Sequence, residues 1–163
     1  MTFRVLDEIQ GTGLGAMREA IWLLRKHRLD VAQSRVEVIE DGGSHVVIFT
    51  MKDGARFGAR AGSRTELPAK ELERLSKAAP RRLHHVQGSS LAAADIAVRE
   101  LEQRNLRLDG YKVDVVRDGD AIAVLFVDKD QERGVLGSAG RNPGFEVYLR
   151  ASDLSLVRSN FVR

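Results

Sequence analysis

Shifted by 77 positions, the chain falls onto itself. Gly11 to Asp53 aligns with Gly88 to Asp130 without a gap, and fourteen of the forty-three aligned positions are identical. The matches lie where a fold needs them. Leu14, Ala16, Ala20, Leu24 and Leu29 land on Leu91, Ala93, Ala97, Leu101 and Leu106, one apolar stripe at helical spacing written twice. Val36, Val38, Val47 and Phe49 land on Val113, Val115, Val124 and Phe126, the alternation of strands with one face inward. Asp41-Gly42 lands on Asp118-Gly119, and Lys52-Asp53 on Lys129-Asp130. A helix stripe, two strands and a turn preserved together point to duplication of one unit.

Each unit reads as a helix, about 14–28 and about 90–104, followed by two strands and a tight turn. Asp-Gly between apolar runs is a hairpin signal, because a type I′ turn needs the positive φ that glycine accepts. Ser89 or Ser90 is placed to cap the second helix. The second strand of each hairpin, Val46 to Phe49 and Ala121 to Val127, is apolar at consecutive positions, so both of its faces need cover. One helix covers one face. The other must meet the second repeat, a partner subunit or a ligand.

Past the hairpins the copies diverge. The second continues into two alternating strands, Phe145 to Arg150 and Leu154 to Phe161, which makes a helix followed by a four-stranded antiparallel meander. The first holds at most a short strand near Ala55 to Ala61. Thr65-Glu66-Leu67-Pro68 then opens an added helix over about 66–79, with proline tolerated in its first turn. The expected organisation is α+β in two related helix-plus-antiparallel-sheet units: 1–80, a linker at 81–88, and 89–163.

Composition narrows the class. A content of 43% hydrophobic and 30% charged residues is enough for a packed core, and a net charge of +3 spread along the chain supplies no strong field for nucleic acid or anionic lipid. With no cysteine, disulfides and thiolate sites are excluded. Met1 to Glu8 lacks the apolar core of an export signal, and no apolar run reaches spanning length. The expectation is a cytoplasmic protein without membrane contact.

The second half, Ser89 to Arg163, resembles the cystatin-like and NTF2-like folds, in which a sheet wraps on one helix. The resemblance is of topology. It implies a small bacterial binding protein, of the kind that includes immunity proteins neutralising a partner. Cystatin inhibitors carry a Gln-x-Val-x-Gly hairpin; the turn here is Arg117-Asp118-Gly119-Asp120, so protease inhibition is not implied. NTF2-like enzymes place acids, bases or histidines in a cone-shaped pocket, whereas the inward strand positions here are Val, Ile, Leu and Phe.

The motifs that could carry chemistry each have a plainer reading. Gly11-Thr12-Gly13-Leu14-Gly15 precedes a helix, but a dinucleotide fingerprint would need glycine where Ala16 stands, and no Gly-Lys-Ser follows. Asp128-Lys129-Asp130-Gln131-Glu132 opens like a calcium loop, yet Arg133 occupies the glycine position and Ala139 the closing glutamate. His84 and His85 are adjacent and diverge on any regular element, with His27 and His45 far off in sequence. No catalytic residue, cofactor or metal site is therefore assigned. The basic stretch from Lys77 to His85 comes with nine aromatics in the whole chain (six Phe, two Tyr, one Trp), too few and too strand-bound for a nucleic-acid stacking surface.

The stretch from Lys129 to Gly144 is long for a hairpin connection, and long loops in small domains often carry function. Arg133, Val135, Leu136, Arg141 and Asn142 in it are candidate partner contacts. Trp22 joins them, because it lies off the helix stripe and aligns with Arg99. The reading is a non-catalytic protein that binds another protein, with homodimerisation open. The alternative is a small-ligand binder or NTF2-like enzyme with a pocket between helix and curved sheet.

Overall fold

The computed structural model of the chain describes residues 3–130 and 142–162, Phe3 by its backbone alone. In chain order the elements are β1 (Phe3–Gln10), α1 (Gly11–Lys26), β2 (Ser34–Asp41), β3 (Ser44–Met51), β4 (Arg56–Arg60), α2 (Ala69–Ala78), β5 (Arg82–Gln87), α3 (Gly88–Gln103), β6 (Tyr111–Asp118), β7 (Ala121–Asp128), β8 (Phe145–Arg150) and β9 (Leu156–Phe161). The fold is α+β with two antiparallel sheets. The 77-residue shift maps α1 onto α3, β2 onto β6 and β3 onto β7 at both ends of each element. Short 3-10 turns at Val31–Gln33 and Leu108–Gly110 correspond in the same way.

One feature of the topology is absent from the sequence expectation. Residues 81–88, expected as a linker, contain β5, the counterpart of β1. Each of these leading strands joins the other repeat's sheet. β1 pairs with β6, giving the order β1-β6-β7-β8-β9, while β5 pairs with β2, giving β4-β3-β2-β5. The chain accordingly divides into a unit of residues 13–92 and a unit of residues 1–12 with 93–163. The glycines that open α1 and α3 belong to this exchange. A Cβ on Gly11 would overlap the carbonyl oxygen of Leu108, and one on Gly88 that of Val31. Each helix thus starts tight against the 3-10 turn of the other repeat, where only a residue without a side chain fits. Both helices begin at these glycines, about three residues earlier than expected for α1 and two for α3. Ser90 Oγ is buried without a hydrogen-bond partner and therefore does not cap α3.

In the unit of residues 13–92, α1 lies on one face of the four-stranded sheet. Its first turn meets β5, where the His84 ring fills the space beside Gly13, and its end meets β4, where His27 and Phe57 stack at 4.5 Å. Val36, Val38, Val47 and Phe49 are sealed on that face. α2 covers the opposite face and begins three residues later than expected. Glu66 is held in a bridge to Ala59 and Leu67 N–H donates to Gly58, which keeps the chain extended up to Pro68.

In the other unit, α3 lies on the five-stranded sheet. Glu100 accepts from Ser159 Oγ, and the Arg104 guanidinium sits 5.7 Å from the ring centres of both Phe145 and Phe161. Val113, Val115, Val124, Phe126 and Val147 are buried on this inner face. The hairpin turns place Gly42-Gly43 and Gly119-Asp120 at their centres, so the Asp of each Asp-Gly pair ends a strand instead of entering the turn. Only the first turn has positive φ at both central residues. Among the described residues no helix is long and apolar enough to cross a membrane.

Candidate protein-docking surface

The period of two along β7 sends Ile122, Val124 and Phe126 inward beneath α3 and Ala121, Ala123, Leu125 and Val127 outward. The register carries this outward set across the sheet. Val5 on β1 stands opposite Val116 on β6, Val116 opposite Ala123, and Ala123 opposite Tyr148 on β8. The Arg158 guanidinium lies 4.1 Å from the centre of the Tyr148 ring and extends the row onto β9. In the adjacent row, Leu125 stands between Asp114 and Glu146, with Glu8 beyond Asp114. The result is an apolar strip bordered by an acidic row. Val116 and Ala123, in the middle of the row, are buried, while Val5 is 49% exposed and Leu125, Val127 and Tyr148 are half-buried.

The same face of the four-stranded sheet is roofed. Ile39, Val46 and Ile48, the counterparts of Val116, Ala123 and Leu125, form a core with Leu72 and Leu75 of α2 and the neighbouring Leu67. Gly58 makes room for this roof, since a Cβ there would come within 2.7 Å of Leu72 Cδ2. Charges at the end of the helix fit the sheet. Asp41 accepts from Arg74 at 3.1 Å and pairs with Arg60 at 3.0 Å, and Glu71 pairs with Arg74 at 2.9 Å. Arg74, then Arg60, hold the Asp41 carboxyl below the usual carboxylate range. Its counterpart Asp118 has no ion pair among the described residues.

No family model, curated protein or solved structure matches the chain.

The sequence candidates are not gathered on this face. Trp22 lies half-buried on α1, in the other unit, with the Arg64 guanidinium 5.9 Å from its ring centre. Arg133, Val135, Leu136 and Arg141 lie outside the described residues. Asn142 clasps the fold: its backbone N–H and Nδ2 donate to Asp128 at 2.7 and 2.9 Å, and Nδ2 also donates to the Gly110 carbonyl. The outer-face residues were legible only indirectly. Their signal is that β7 is apolar on both faces while the second repeat has no counterpart of α2 among the described residues.

The polar groups that a ligand pocket would need are largely engaged. Tyr111 is buried beneath α3 with its hydroxyl donating to the Pro143 carbonyl at 2.7 Å, and burial, then the Asp128 carboxylate, push its pKa up to about 12. His84 points inward and His85 outward, as their adjacency required. Burial, then the nearby His45, lower the His84 pKa. Arg82 pairs with Glu37 at 3.1 Å and Lys77 with Glu73 at 3.1 Å, so much of the basic stretch is matched locally. Among the described residues no cluster of three His, Asp or Glu side chains is arranged to hold a metal. A cleft of about 210 Å³ opens beside α2, floored by Ile39, Ile48 and Leu75 and edged by Glu37, Arg56 and Arg82.

Proposed function

We propose that this is a non-catalytic protein-binding protein that docks a partner on the outer face of its five-stranded sheet. One observation carries the reading: on this face Val5 is 49% exposed and Leu125, Val127 and Tyr148 are only half-buried around the sealed Val116 and Ala123, whereas Ile48, the counterpart of Leu125 on the sister sheet, is buried under α2. An apolar sheet face bordered by charge gains free energy when it is covered, by roughly 25 cal/mol for each Å² of apolar surface removed from water. Neutralisation of a partner in the cytoplasm, as in the immunity-protein class that the second half resembles, is one use of such a surface. The test compares affinity capture by the natural chain and by Leu125→Asp, with a melting curve to show that the variant is folded. A protein retained by the first and lost by the second is expected. Identical captures would remove the reading.

A second reading is a small anionic ligand in the cleft beside α2. It is favoured by Arg56, which has no ion-pair partner among the described residues and stands over an apolar floor. A ligand that raises the melting temperature of the natural chain but not of Arg56→Ala would support it.

A further inference from the structure

We infer that β9 is a docking edge for a second copy of this chain, so that two five-stranded sheets join edge to edge about a two-fold axis. This edge is distinct from the sheet face described above as a docking surface. Three observations lead to it.

The first is how the sheet edges are guarded. A strand with one neighbour presents unpaired N–H and C=O groups, and charges, bulges or covering segments keep other chains from adding to it. β4 is covered by the Glu66 bridge to Ala59 and by Leu67 N–H on the Gly58 carbonyl. β5 carries Arg82, His84 and His85, and β1 carries Arg4, Asp7 and Glu8 with a bulge between Val5 and Asp7. β9 has a single charge, Arg158, and that guanidinium lies 4.1 Å from the centre of the Tyr148 ring on its own sheet. Its bulge falls at Val157, so Arg158 to Phe161 run in regular register with β8.

The second is exposure. Among the described residues five large hydrophobic side chains are exposed, and four of them, Leu156, Val157, Phe161 and Val162, lie on β9 or next to its end at 43–58% exposure. Val162 N–H donates to the Gly144 carbonyl. Bonds to one neighbour alternate along an antiparallel strand, so Asn160 and Arg158 also bond to β8. The N–H and C=O groups of Ser159 and Phe161 therefore face away from the sheet, where no described strand receives them.

The third is self-complementarity. In an antiparallel pair of β9 strands centred on Ser159, each Ser159 meets its own copy and their outward groups exchange two hydrogen bonds. Arg158 then stands opposite Asn160, Val157 opposite Phe161 and Leu156 opposite Val162 of the second copy. Each exposed apolar side chain of the edge gains an apolar neighbour. A slip of one residue sets Arg158 against Arg158, which opposes like charges. A slip the other way sets Phe161 against Ser159 and Arg158 against Val162. The Ser159 register avoids both, and a two-fold axis uses the same edge twice and closes at two chains.

The test is light scattering of the full chain over a range of concentrations. Twice the mass of one chain is expected, falling to a single chain on dilution. Val157→Lys sets a charge against Phe161 of the second copy and should weaken the dimer roughly tenfold or more. Ser159→Pro removes an outward N–H without costing a bond to β8 and should weaken it by a similar factor. Melting curves at low concentration, where every form is a monomer, should place both variants close to the natural chain. The chain has no cysteine, so Ser159→Cys introduces a single thiol. Paired Cα atoms about 5.5 Å apart admit a disulfide, and mild oxidation should link two copies. Leu156→Cys, roughly 20 Å from its own copy in this register, should not link. A single-chain mass up to about 1 mM, or a dimer as tight in either folded variant as in the natural chain, would overturn the inference. So would linkage through Leu156→Cys with none through Ser159→Cys.

Discussion

Gly11 lies so close beneath the carbonyl of Leu108 that no side-chain atom fits between them, and 77 positions later Gly88 stands under Val31 in the same way. In both cases the obstacle is backbone, and further carbonyl oxygens, of Tyr111 at 2.7 Å and Ser34 at 2.6 Å, close the other side. Gly11→Ala and Gly88→Ala should therefore each lower stability by about 1–3 kcal/mol. Gly15, two residues past Gly13 on the same helix, has nothing within 4 Å. Gly15→Ala should raise stability by about 0.4–1 kcal/mol, because alanine restricts the unfolded chain and meets no obstacle. Urea unfolding of the three variants separates them, and equal losses at Gly11 and Gly15 would contradict this packing.

Arg28 and Asn105 end α1 and α3 in the left-handed region, at φ 56° and 60°. Leu29 N–H and Leu106 N–H then reach back to the Leu24 and Leu101 carbonyls, which closes each helix with the same capping bonds. Neither position holds the glycine that this conformation favours, and arginine tolerates it less well than asparagine. Arg28→Gly should stabilise by up to about 1 kcal/mol and Asn105→Gly by less. Thermal melts of both variants test the order; a loss on Arg28→Gly would mean that its side chain contributes more than its backbone costs.

Asp128 is a buried carboxylate at the base of the long β7–β8 connection. The Asp130 backbone N–H, followed by the Asn142 backbone and side-chain N–H groups, holds its pKa below the ordinary 3.8 against the opposing effect of burial. A depressed carboxyl pKa contributes stability that is complete above the unfolded value and is lost as pH falls through the folded one. Asp128→Asn should cost about 2–3 kcal/mol at pH 7, with a smaller penalty below about pH 3.8. Denaturant titrations of both proteins at several pH values give the comparison. A penalty that does not change with pH would show that the charge is not what the N–H groups stabilise.

Much of the architecture was legible because it was written twice. Leu14 with Leu91 and Val36 with Val113 fixed helix and strand in register, and the consecutive apolar positions of β7 already required cover on both faces. What escaped was long-range. Arg82-Leu83-His84-His85-Val86-Gln87 is mostly polar and alternates only weakly, which is the pattern of a linker; its strand character comes from pairing with β2. No local pattern reveals that β1 and β5 change places, because an edge strand's partner is chosen by the rest of the sheet. The glycines of Gly11-Thr12-Gly13 did look unusual, but the reason lies in Leu108 and His84, far away in sequence. The partial exposure of Leu125 and Tyr148 was likewise a matter of what a distant segment supplies in one repeat and does not supply among the described residues of the other.

The exchange of leading strands makes a strong prediction about the two halves of the chain. Cut in the connection between α2 and β5, the first half keeps β2, β3 and β4 but loses β5 from its sheet, and the second half keeps β6 to β9 but loses β1. Each fragment also loses the surroundings of one helix-opening glycine, since Gly11 packs on the second half and Gly88 on the first. Neither fragment alone should reach the stability of the intact chain, and each should leave a strand edge and buried valines in water. Mixed in equal amounts, the fragments of residues 1–80 and 81–163 should associate one to one and regain a single cooperative unfolding transition. Size-exclusion chromatography with light scattering reads the association, and calorimetry the transition. Two fragments that fold independently and ignore each other would mean that β1 and β5 each return to their own repeat, in conflict with the pairing of β1 with β6 and of β5 with β2.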